Sequence, residues 1–150
     1  MAIIQLQFVC EAKITSRAIA WFSQGHFSHV DAVTPSGNLL GARHSGGVQV
    51  RSPGYLNFTN RVLMTVPCTD AQNLAFYSFL AAQVGKPYDA EAIWAFAFNR
   101  NWRETDSWIC SELLAAAGES AGILPTLYLA ANKITPVVCA VAFSAVGGKE

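Results

Sequence analysis

The sequence predicts an α+β domain, with antiparallel strands in its first half packed against helices in its second. Three observations carry this. Apolar and polar residues alternate over Ile3–Cys10 and again on both sides of Pro35-Ser36-Gly37-Asn38, four strong turn formers in a row, as half-buried strands and a hairpin do. Thr69-Asp70-Ala71-Gln72 is a capping-box pattern that opens a long run of helix formers. Trp108-Ile109-Cys110-Ser111-Glu112-Leu113-Leu114-Ala115-Ala116-Ala117-Gly118 has the composition of a short helix and carries a cysteine in its first turn.

The size and composition bound the rest. A chain of 150 residues is one domain, residues 1–150, by the usual size of about 100 to 200 residues each. At 52% hydrophobic and 13% charged it is core-rich, not disordered. Ten basic and ten acidic residues cancel with no basic stripe, which argues against nucleic acid as a partner. No uncharged apolar run reaches the roughly 18 residues a membrane span needs, and the opening Met-Ala-Ile-Ile-Gln lacks the positive region of a secretory signal. Cys10, Cys68, Cys110 and Cys139 are far apart and form no C-x-x-C pair, so reduced thiols and a cytoplasmic setting are expected, with no cofactor.

Taken in order, Ile4, Leu6, Phe8 and Cys10 share the apolar face of the first strand, with Gln5 and Gln7 opposite. Thr15 or Ser16 caps a short helix over Arg17–Ser23. Ser28–Thr34 and Leu39–His44 are the arms of the hairpin; a two- or four-residue loop pairs residues whose numbers sum to 73, which sets His29 across from His44. Gly46-Gly47 marks a kink before Val48–Arg51, and Arg61–Val66 is a further strand. The capping box starts a helix that runs to about Val84 and stops at Gly85-Lys86-Pro87-Tyr88-Asp89. Ala90–Phe98 is a second helical run, Asn99–Asp106 a polar loop, and Leu124–Ala131 another helix. Asp106 and Ser107 offer caps to the cysteine helix and Gly118 its C-terminal end. Val137–Phe143 fits a helix or a strand, and the last few residues are expected to be loose.

The chemistry centres on Cys110. Free backbone N–H groups and the positive end of the dipole at a helix start favour an anion, so the position suits a thiolate nucleophile. Such a nucleophile needs an imidazole to handle its proton and a third group to hold that ring. The preferred assignment is Cys110 as nucleophile, His29 as general base and then acid, and His44 as orienter, with backbone N–H groups of the cysteine helix as an oxyanion hole. Asp31 alternates onto the same strand face as His29 and is a substitute orienter. His26-x-x-His29 lacks a well-spaced third ligand, so no metal is assigned. Arg100 and Arg103 could meet a substrate carboxylate, although a solvated face is the simpler reading.

These residues also carry a resemblance. Ile14–Phe22, Phe27-Ser28-His29-Val30, Gly46-Gly47-Val48, Gly85-Lys86-Pro87-Tyr88-Asp89, Cys110-Ser111-Glu112-Leu113 and Ile134-Thr135-Pro136, in that order, resemble the circularly permuted papain-fold amidases, the YiiX/YaeF-type relatives of the NlpC-like hydrolases and of lecithin retinol acyltransferase. The resemblance implies a small antiparallel sheet or barrel packed against helices, a strand-borne histidine at His29 and a helix-borne catalytic cysteine at Cys110. It also implies thiol-dependent hydrolysis or transfer at an amide or ester. The family's third polar residue would fall near Gly41, which has no side chain, and Asp31 stands where relatives carry a small residue. The expected function is therefore a cysteine amidase or peptidase acting on a peptide, such as one from the cell wall, through an acyl-enzyme on Cys110. The alternatives are a lipid thioesterase or acyltransferase of the same fold, and a non-catalytic binding module with a degraded triad.

Overall fold

A computed structural model describes residues 1–11, 27–88, 109–128 and 134–150. Within them an open five-stranded antiparallel sheet carries three helices. The strands are β1 (Ala2–Glu11), β2 (His29–Val33), β3 (Leu39–Arg43), β4 (Gly47–Arg51) and β5 (Phe58–Cys68), in the order β4-β3-β2-β1-β5. The described helices are α1 (Asp70–Gln83), α2 (Cys110–Ser120) and α3 (Pro136–Ala145). The helices at Arg17–Ser23 and Ala90–Phe98, the loop at Asn99–Asp106, and Arg100 and Arg103 with it, lie outside the described residues.

β1 is an interior strand, and that explains its burial. It pairs with β2 on one side and β5 on the other. Ile4, Leu6 and Phe8 join Val30, Ala32, Leu40, Ala42, Val48, Met64 and Val66 in one apolar core, closed by Phe76 and Leu80 of α1, Leu113 and Leu114 of α2, and Cys139 and Phe143 of α3. The opposite face at Gln7 and Val9 is buried too, although alternation expected Gln7 to be solvated. Cys10 is only half-buried.

The hairpin differs from expectation by one residue. Ala32 pairs with Leu40 and Val33 with Leu39, a sum of 72. The loop has an odd length: Thr34 N–H donates to the Asn38 carbonyl at 2.8 Å and Gly37 N–H to the Thr34 carbonyl at 2.8 Å, with Gly37 in the left-handed region at φ 83°. A three-residue loop of this kind suits a turn followed by a left-handed glycine. Because side chains alternate with period two, a slip of one residue moves every predicted partner to the other face.

Both sheet edges are partly covered, which limits unwanted strand pairing. At the β4 edge, Val48 N–H donates to the Lys86 carbonyl and Gly85 N–H to the Val48 carbonyl, each at 2.9 Å. Gly47, at φ 68°, lies so close to Lys86 that a Cβ there would collide with the Lys86 backbone. Gly46-Gly47-Val48 and Gly85-Lys86-Pro87 are thus one packing unit, although far apart in sequence. At the other edge Lys149 and Thr65 exchange both backbone hydrogen bonds, at 2.8 and 2.9 Å, so the C-terminus is not loose there.

The helices follow their local signals in two cases out of three. Thr69 and Gln72 form the full capping box of α1. Thr135 accepts from Val138 N–H and Pro136 takes the first turn of α3, which decides the Val137–Phe143 ambiguity for helix. α2 is different: its N-cap is Ile109, which contributes no side-chain hydrogen bond, and the helix runs past Gly118 to Ser120. Gly118 is interior because Leu124 and Phe143 pack where its side chain would be. Residues 124–128 are irregular instead of helical.

Candidate functional site

His29 is set by the start of β2. Ser28 N–H donates to the Val9 carbonyl at 2.9 Å, and Ser28 Oγ accepts from Glu11 N–H at 3.1 Å, which pins the strand entry against β1. Val9 is the cross-strand partner of His29 and Gln7 that of Asp31, so His29 and Asp31 share one face of β2. Both side chains are buried, at 5% and 1% exposure.

The two are directly paired. His29 Nε2 lies 2.9 Å from Asp31 Oδ2. Tyr55, from the loop after β4, closes the same oxygen: its hydroxyl donates to Asp31 Oδ2 at 2.5 Å and lies 3.1 Å from His29 Nε2. Nε2 is thereby occupied by Asp31 and Tyr55. Burial alone would lower the basicity of His29, but the Asp31 carboxylate and then Cys110 outweigh it by charge and hydrogen bonding, and its pKa is raised to about 10. Burial pushes Asp31 upward; His29, the Tyr55 hydroxyl and Arg43 reverse that and hold it below the usual carboxylate value. The upward shift of His29 favours the imidazolium form of the ring.

Cys110 is the first residue of α2 and is 4% exposed. The next residue anchors that turn, with Ser111 Oγ donating to the Ile134 carbonyl at 2.5 Å. Since Ile109 supplies no side-chain cap, the N–H groups of this turn face the site without a capping oxygen from it.

His44 is not brought to His29. It stands in the exposed turn beyond β3, and its ring meets Tyr88 edge-on at 6.1 Å between centroids. The physical cause is the odd hairpin loop, since the observed register continued along the arms sets Arg43, not His44, across from His29. The same register sets Gly41 across from Asp31, and a Cβ at Gly41 would overlap Asp31 Oδ1. Gly41 and Asp31, two separate departures in the sequence, form one arrangement: the bare glycine leaves the room that the carboxylate fills.

An outer ring of charge surrounds Tyr55. Arg43 and Glu11 form a double ion pair, at 2.5 and 3.1 Å, and the Arg43 guanidinium lies 5.2 Å from the Tyr55 ring centre. Arg51 lies 5.5 Å from the ring while donating to the carbonyls of Gly41, Ser45 and Gly47. Sequence reasoning missed Tyr55, Glu11, Arg43 and Arg51. Tyr55 follows Pro53-Gly54 in a loop with no periodicity, and only the fold brings it to the pair. All four cysteines are free thiols, and His26 lies outside the described residues.

No protein-family model matches the chain, and no curated protein matches it significantly. Among solved structures, the fold is similar to that of a crystal structure described as metalloprotein YiiX from Escherichia coli O157:H7, with a TM-score of 0.61 and 20% sequence identity over 78% of this chain. The chain spans 64% of that protein's length. Among the described residues no group of three or more His, Cys, Asp or Glu could hold a metal ion. No helix among them is long and apolar enough to cross a membrane.

Proposed function

We propose that this chain is a thiol-dependent amidase or peptidase with Cys110 as nucleophile, His29 as its proton partner and Asp31, in place of His44, as orienter. One observation supports this above the others: His29 is held at Nε2 by a buried carboxylate while Cys110, at a helix start, acts on the same ring. That is the division of labour a thiol nucleophile needs.

In the reacting pair the Cys110 thiol has given its proton to His29, so a thiolate stands beside an imidazolium. The Cys110 sulfur attacks the substrate carbonyl carbon, and N–H groups of the first turn of α2 stabilise the oxyanion. As the C–N bond breaks, the imidazolium gives its proton to the leaving amine, and a thioester on Cys110 remains. Water then adds to the thioester with neutral His29 accepting its proton; the C–S bond breaks, the acid leaves, and the ion pair is restored. Asp31 stays ionised throughout and keeps the ring in place.

Gly41 favoured a degraded site as long as Asp31 was unplaced. The carboxylate seated in the space Gly41 leaves supports a working orienter over a degraded site. The test is acyl trapping: the protein is incubated with cell-wall peptides and, separately, with acyl thioesters, and the Cys110 peptide is weighed by mass spectrometry. An acyl adduct absent in Cys110→Ser is expected with the peptides. An adduct from the thioesters alone moves the assignment to acyl transfer, and none from either set overturns an acyl-enzyme route for both classes.

A further inference from the structure

Tyr55 has a placement that core packing does not account for. Its hydroxyl lies at the junction of the two buried members of the pair, 2.5 Å from Asp31 Oδ2 and 3.1 Å from His29 Nε2. The other carboxylate oxygen, Oδ1, has no hydrogen-bond partner among the described residues. Both donors therefore converge on Oδ2, although a buried carboxylate is better satisfied when each oxygen accepts a bond. The ring is itself held, with the Arg43 and Arg51 guanidiniums 5.2 and 5.5 Å from its centre. Each arginine is fixed in turn, Arg43 by Glu11 and Arg51 by the carbonyls of the β3–β4 turn.

We propose that Tyr55 is a positioning residue of this site: its hydroxyl selects Oδ2 as the oxygen that faces His29 and fixes the plane in which the imidazole lies. The role rests on the reading of His29 and Cys110 as the reacting pair. Among the described residues, the groups that face His29 are Asp31 on its own strand, Tyr55 from the loop, Cys110 at the start of α2 and, one step out, Arg43 with its neutralising Glu11. Burial and the adjacent Asp31 charge both raise the Tyr55 pKa, so it remains a neutral donor across the working range.

A hydroxyl that donates to Oδ2 shares the negative charge that His29 would otherwise take alone. Its removal leaves the imidazolium as the one hydrogen-bond partner of that oxygen among the described residues, so the histidine should hold its proton to higher pH. A tyrosine that served packing only would not produce this shift.

The experiment is NMR titration of the His29 ring in the wild type, Tyr55→Phe and Tyr77→Phe, with iodoacetamide alkylation of Cys110 followed in the wild type and His29→Ala. Tyr55→Phe keeps the ring between the arginines. Tyr77 is the control, because its hydroxyl donates to the Val33 carbonyl at 2.6 Å at the other end of the same strand. The expected result is a rise in the His29 midpoint of about half a pH unit or more in Tyr55→Phe, with Tyr77→Phe titrating like the wild type. If His29→Ala slows alkylation but Tyr55→Phe leaves the midpoint in place, or Tyr77→Phe moves it as far, the positioning role is overturned and the pair stands. If His29→Ala leaves alkylation unchanged, the pair itself fails and the role of Tyr55 with it.

Discussion

Asp31 shows how one buried charge organises its neighbours. A carboxylate at 1% exposure persists only with compensating partners, and it has His29 and Tyr55 on Oδ2 with Arg43 beyond. The space it occupies exists because residue 41 is glycine. Gly41→Ala is therefore expected to destabilise the protein by about 1 to 3 kcal/mol, as overpacking does, and to displace the carboxylate from His29. Urea unfolding gives the first effect and the His29 titration midpoint, shifted downward, gives the second. An alanine tolerated without loss at both readouts would mean that Asp31 has another seat. The part of the site legible in the sequence was its chemistry-bearing types: Cys110 in a first helical turn, His29 at a strand start and Asp31 on the same face. The choice between Asp31 and His44 was not legible, because it turned on a single residue of loop length.

At the scale of elements, local signals were readable wherever the side chains that make them lie close in sequence. The α1 capping box and the Thr135-Pro136 start of α3 act within four residues. The α2 boundaries failed for the opposite reason. Gly118 had the look of a cap, yet its lack of a side chain serves contacts with Leu124 and Phe143, which only the folded chain brings near. Alanine in a helix interior is usually better than glycine by about 1 kcal/mol. Here the added Cβ would lie 2.9 Å from Leu124 and Phe143 atoms, and crowding of about 1 to 3 kcal/mol outweighs that gain. Gly118→Ala is thus expected to lower the urea midpoint, against the propensity rule; a raised midpoint would show that Leu124 and Phe143 yield freely. The union of Gly46-Gly47-Val48 with Gly85-Lys86-Pro87 was equally hidden, since no periodicity links two loops nearly forty residues apart.

Across the whole molecule, the buried pair makes stability depend on pH from both sides. The folded state raises His29 from 6.5 to about 10, so its contribution is complete below about 6.5 and is lost as pH rises toward 10. Asp31 is lowered from 3.8, so its contribution is present above about that value and is lost as pH falls. Stability from this pair should be greatest between about pH 4 and 6.5 and should decline through the alkaline range. Thermal unfolding across pH tests this, with Asp31→Asn expected to remove most of the alkaline decline attributable to His29; an unchanged slope would show that the decline comes from other groups. The α+β class and the strand-then-helix order were legible because hydrophobic period reports layers, and the fold shared with YiiX is of that class. The assembly of residues 11, 31, 43 and 51 around His29 and Tyr55 was not, because it is a product of sheet order.

Cys110 and His29 are proposed to react as a pair held by Asp31. The most direct measurement is the rate of iodoacetamide alkylation of each cysteine at pH 7 in the native protein, resolved by peptide mass spectrometry, and repeated in His29→Ala and His44→Ala. The expected result is that Cys110 reacts faster than Cys10, Cys68 and Cys139, that His29→Ala slows it about tenfold or more, and that His44→Ala does not. A Cys110 that reacts no faster than the other three, or equally fast without His29, would contradict it.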